Sequence, residues 1–203
     1  MDEPATETTP NTGEPIINAP VVAVALALGL VAMHAVRLIA PEGAQVVAYL
    51  DGALIPERFW AEARSSVAYG SSFAAALTLV SHAGLHGGWG HVLMNAVMAL
   101  AVGAPVARFF GSTAAGTLRF FTVFLGAVGA GGIAHLVSHM PAGPAAVGAS
   151  GGVSGLMAAA LALTQGGRVM TRSFAVMAVA FTAANIALIW IGPAVFDAGI
   201  AWQ

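Results

Sequence analysis

Two long stretches of this chain, Trp89 to Phe110 and Thr113 to Met140, carry one arginine each and no other formal charge. A helix of about 20 apolar residues crosses the hydrocarbon core of a bilayer. Inside lipid the backbone must satisfy its own hydrogen bonds, which a helix does within a single segment. Pro20 to Ala40 is a span of the same kind and the first in the chain, with His34 and Arg37 near its end, where an arginine can snorkel. Ser150 to Thr164 is a short fourth span rich in small residues, and Arg172 to Ile191 is a fifth. Ser72 to Leu85 is apolar but short, so it is expected to re-enter the membrane or lie under the preceding loop. Composition agrees: the chain is 58% hydrophobic and 8% charged, where soluble domains have about 25% charged residues. The expected fold is an all-α, polytopic membrane helical bundle with the lipid bilayer as its surroundings.

Between the spans the sequence changes character. Residues 1–19 are polar and acidic, with Pro4, Pro10 and Pro15, and read as a disordered tail. They lack the positive n-region of a signal peptide. Residues 20–203 form the membrane domain. Residues 41–71 hold Glu42, Asp51, Glu57, Arg58, Glu62 and Arg64, interleaved with Phe59, Trp60 and Tyr69. That mixture reads as an interfacial loop with short amphipathic pieces. Pro105 is expected to kink or terminate the second span, and the Pro141 to Pro144 segment to form a turn. Arg108 follows the second span, and Arg168 and Arg172 follow the fourth. The positive-inside rule then puts these arginines and the N-terminus in the cytoplasm, although Arg58 and Arg64 of the long first loop run against it. The N-terminal ends of spans two and four, with His91 and Ser150, face the outer side. The expected location is a cell membrane, taken as the bacterial inner membrane. With no lysine, a formal charge of −2 and no basic patch, nucleic-acid binding is excluded. The absence of cysteine excludes disulfides, a thiolate nucleophile and Cys-ligated zinc.

Two polar clusters interrupt this apolar chain. Ser150 opens the fourth span within Gly148-Ala149-Ser150-Gly151. Gly151 and Gly155, four residues apart, offer a flat face for close helix approach. Ser154 shares the face of Ser150 but lies about 6 Å deeper, at 1.5 Å per residue. Ser150 is therefore the better nucleophile candidate. The second cluster is His86-x4-His91-x3-Asn95, entering the second span. His91 and Asn95 are one turn apart on one face, and two uncharged donors so placed can hold a developing oxyanion. Interhelical hydrogen bonding is the plainer reading of the same spacing. His82, His86 and His91, with the pair His135 and His139, also raise metal ligation. The HExxH glutamate is missing, with Leu136 after His135 and Ala83 after His82, so no metal and no cofactor is assigned. His135 and His139 read as interfacial residues at the outer end of the third span, and His34 as an end-of-helix residue.

These residues resemble the rhomboid intramembrane serine proteases. The stretch from His82 through His86, Gly87, Gly88, Trp89, Gly90 and His91 to Asn95 is similar to that family's second-helix signature. Gly148-Ala149-Ser150-Gly151-Gly152-Val153-Ser154-Gly155-Leu156 is similar to its fourth-helix signature, and Ile55-Pro56 with Arg58 to its first-loop segment. The resemblance implies a rhomboid-like bundle of six helices with a short, central fourth helix. It implies that Ser150 attacks the scissile carbonyl, and that Asn95, His91 and the Ser150 amide stabilise the oxyanion. His86 would brace the loop above the site, with Gly148 and Gly151 in support. The substrates would be single-pass transmembrane proteins. The family's general base is a His on the sixth helix, in an Ala-His-x-x-Gly context. Here the sequence stops at Ala201-Trp202-Gln203, about where that helix would begin. The expectation is five spans of six and a C-terminally incomplete domain, inactive as it stands for want of a base. A catalytically inactive rhomboid-like protein that binds transmembrane segments is the alternative function.

Overall fold

The computed structural model describes residues 19–62, 64–169, 171–180 and 182–183. Helix α1 runs Val21–Ile39, α2 Glu42–Gly52, α3 Pro56–Trp60, α4 Ser72–Ser81, α5 Trp89–Phe110, α6 Ala114–Ser138 and α7 Ser150–Thr164. A 3₁₀ turn, His82–Gly84, follows α4. Helix also occupies 172–180 and 182–183. The rest of the expected fifth span and the N-terminal tail lie outside the described residues. The chain is thus an all-α membrane bundle. Among the described residues, α1, α5 and α6 are long and apolar enough to cross a membrane, while Ser72–Gly84 and α7 are shorter.

The buried residues show which faces meet. In α1 they are Ala23, Leu26, Ala27, Leu30 and His34, a stripe at helical spacing. Leu28, Val36 and Ile39 remain exposed, as the lipid-facing side of a membrane helix would be. Half of the most apolar window of α5 is buried, against 28% for α1 and for α6. α5 is therefore the central long helix, packed against α1, α6 and α7. The core joins Leu30 of α1, Val92, Ala99 and Val106 of α5, Phe120, Phe124 and Val128 of α6, and Val153 and Leu156 of α7.

α5 does not end at Pro105. It continues to Phe110 and stops at Gly111, whose φ of 78° suits glycine. A proline interrupts the backbone ladder at its own missing N–H and at the crowded carbonyl one turn back, and a helix embedded on several sides can continue across that gap.

The glycines of α7 make its contact with α6 close. A Cβ at Gly155 would lie 2.2 Å from the Ala127 Cβ, and one at Gly152 would lie 2.4 Å from the Phe124 ring. The flat face of Gly151 and Gly155 expected from the sequence is thus used, against Ala127 and the Val128 backbone, while Gly152 meets the Phe124 and Val128 side chains.

The first loop is more ordered than an interfacial mixture suggests. The Tyr69 hydroxyl donates to the Ala53 carbonyl at 2.6 Å and accepts from the Ile55 amide at 2.9 Å. Burial raises the pKa of this phenol, against the pull of the Ile55 amide and the Arg58 guanidinium. Arg58 sits over the Tyr69 ring at 4.4 Å, donates to the Val67 carbonyl at 3.0 Å and to the Leu50 carbonyl, and lies 3.8 Å from the Asp51 carboxylate. Trp60 donates from Nε1 to the Leu136 carbonyl of α6 at 3.3 Å.

Candidate functional site

The N-terminal ends of α5 and α7 meet, and the sequence-predicted residues gather there. α7 begins at Ser150, and no side chain caps it: its N-cap, Ala149, has no polar group to offer. The first N–H groups of a helix have no partner within it and carry partial positive charge. Ser150 itself is exposed, although Gly148 and Ala149 before it are buried. Among the described residues its hydroxyl has no hydrogen-bond partner. Ser154 is half-buried one turn along.

Gly148 explains how the loop approaches α5. Its φ is 111°, a conformation that favours glycine. A Cβ there would come within 2.6 Å of His91 Nε2. The His91 imidazole therefore lies against the backbone two residues before Ser150. His91 and Asn95 are both buried. The Asn95 Nδ2 donates to the His91 carbonyl at 3.0 Å. A primary amide has two N–H donors, so one remains for another acceptor.

Two further ties fix the loop before Ser150. The Gly148 amide donates to the His82 carbonyl at 2.9 Å. Leu54 and Ala146 form an isolated antiparallel bridge, with N–H to O distances of 3.1 and 2.8 Å. The first loop and the 3₁₀ turn thus hold the segment that presents Ser150. Sequence reasoning missed this bridge, and nothing local in Leu54 or Ala146 announces it.

The other histidines have separate posts. His82 Nδ1 is 2.7 Å from the Thr78 carbonyl, and His135 Nε2 is 2.9 Å from the Pro144 carbonyl. His139 Nδ1 is 3.0 Å from the His135 carbonyl. His135 and His139 close the C-terminal end of α6, with ring centroids 4.4 Å apart. His86 is buried, and its backbone carbonyl accepts from Arg37 Nη2 at 2.8 Å. Its ring lies 5.0 Å from that of His91, centroid to centroid. Burial, and after it the neighbouring His91 and His34, push the His86 imidazole down to about 3, so it is neutral at physiological pH. The residues near the end of α1 add detail here. Arg37 reaches the His86 carbonyl, and the end-of-helix residue His34 is 1% exposed. Both follow from the stripe that turns α1 toward α5.

Among known proteins, the family model described as Rhomboid domain matches residues 74–203. No curated protein and no solved structure matches the chain.

Proposed function

The chain belongs to the rhomboid family, and from that premise we propose that it is a serine endopeptidase that cleaves single-pass membrane proteins within the bilayer. The observation that carries the reading is the joined end of α5 and α7. An exposed serine opens an uncapped helix, with the His91 ring against Gly148 and Asn95 one turn further along. Ser150 Oγ would attack the scissile carbonyl. The developing oxyanion would fall to the Ser150 amide, the spare Asn95 N–H and His91. Such donors act most where charge develops in a water-poor site, each worth about 3–4 kcal/mol. Serine is a weak nucleophile until a base takes its proton, and the family carries that base as a histidine on a sixth helix. Arginine placement supports an active site toward the outer face, with the N-terminus cytoplasmic; the membrane is taken to be the bacterial inner membrane.

The test is labelling of the intact protein in membranes by a fluorophosphonate serine probe. Wild type and Ser154→Ala are expected to label, and Ser150→Ala is not. Labelling that persists in Ser150→Ala but vanishes in Ser154→Ala would move the nucleophile. No labelling of wild type, together with capture of transmembrane segments, would make the protein a non-catalytic member of the family.

A further inference from the structure

A second polar cluster lies behind His91, between α1 and the loop that leads into α5. His34 of α1 and His86 of that loop are 1% and 2% exposed. Their rings stand perpendicular with centroids 6.3 Å apart, and the Trp89 ring lies edge-on to His34 at 4.9 Å. Both ring nitrogens of His34, both of His86, and the Arg37 Nε are buried without a hydrogen bond of ordinary geometry in the protein, the Gly84 carbonyl lying near enough to favour a proton on His86 without meeting that geometry.

Ring packing does not account for this. A phenylalanine would make the same edge-to-face contact with Trp89 and His86 without two polar nitrogens. Leaving a buried donor or acceptor unmet is destabilising, and five such atoms belong to this cluster. A neutral imidazole offers one donor and one acceptor, which a water molecule complements at both ends. Two hydrogen bonds of ordinary length meeting at one water span roughly 4.5–5 Å, a separation within the range open to nitrogens on rings whose centres are 6.3 Å apart. Buried waters typically make about three hydrogen bonds to polar groups otherwise unsatisfied. A metal is disfavoured, because among the described residues no three such side chains are disposed to hold one.

We propose that His34, His86 and Arg37 line a buried water-binding site between α1 and the start of α5, and that the water joins His34 to His86. His34 is thereby a positioning residue. It holds His86, whose ring in turn packs on His91 beside Gly148. The water site stands without the protease reading; its influence on turnover rests on that reading.

The experiment uses the intact protein in nanodiscs with ¹⁵N-labelled histidine. In wild type the His86 ring N–H is expected to show cross-relaxation with a long-lived water. His34→Phe is expected to abolish that signal, shift the His86 ring nitrogens, and lower both the thermal midpoint and kcat with little change in KM. His34→Gln keeps a donor and an acceptor and is expected to restore most of each loss. Absence of the water signal in wild type would overturn the proposal. So would a His34→Phe variant as stable as wild type with unshifted His86 resonances, which would make the cluster dry aromatic packing. Zinc retained through dialysis by wild type and lost by His34→Phe would also overturn it, in favour of a metal. If the water signal and stability respond as expected but no version cleaves a substrate, the water site holds and the protease reading fails.

Discussion

Asn95 donates one amide hydrogen to its own helix and keeps the other for something else. If that second donor meets an oxyanion, its removal acts on the transition state. Asn95→Ala is then expected to lower kcat by about 100–1000-fold while KM changes far less. A variant that mainly raised KM would assign Asn95 to substrate positioning. His86 makes a different prediction. Its folded-state pKa, about 3, lies below the ordinary value of 6.5. Between those values the unfolded chain binds the proton and the folded chain does not. Stability therefore rises with pH across that window and is lost as pH falls from about 6.5 toward 3. Thermal midpoints measured in detergent should fall on acidification, and His86→Gln should flatten the slope. An unchanged slope would remove His86 as the cause.

Among the elements, α7 depends on its glycines more than on its propensity. The residues that lower intrinsic helix stability also let α6 come close, and van der Waals contact is the main attraction between helices in lipid. Gly155→Val would drive a branched side chain into the space of the Ala127 Cβ, 2.2 Å from an added Cβ. It is expected to destabilise the bundle by about 1–3 kcal/mol, read as a lower thermal midpoint. Gly126, which has nothing within 4 Å of an added Cβ, serves as the control, and Gly126→Ala should not lower it. A Gly155→Val variant as stable as wild type would argue that the α6–α7 contact at Gly155 is not close. The starts of α5 and α7, at Trp89 and Ser150, were legible in the sequence, because Gly87-Gly88 and Gly148 mark the loops that lead into them. The continuation past Pro105 was not legible, because it depends on what surrounds α5.

For the molecule as a whole, the first loop behaves as part of the candidate site. It is tied to α6 by Trp60, to α4 by the Ser81 hydroxyl on the Gly52 carbonyl at 2.9 Å, and to the serine loop by Leu54 and Ala146. Tyr69 holds the backbone on either side of Leu54 through Ala53 and Ile55. Tyr69→Phe keeps the ring under Arg58 but leaves a buried carbonyl and amide unmet, at about 1–3 kcal/mol. The expected result is a lower thermal midpoint together with reduced fluorophosphonate labelling of Ser150. Lower stability with undiminished labelling would show that the first loop braces the bundle without organising the serine.

The sequence alone determined that this chain is a membrane helix bundle, because a backbone in lipid has few ways to satisfy its own hydrogen bonds and long uncharged runs allow one of them. It also marked Ser150, His91 and Asn95, since polar groups in such runs are costly enough to stand out. Only the tertiary structure decided which of them meet. The Gly148 approach to His91, the bridge between Leu54 and Ala146, and the burial of His34 against His86 join segments far apart in the chain. Their geometry depends on how α1, α6 and α7 pack around α5, and no local pattern encodes that packing.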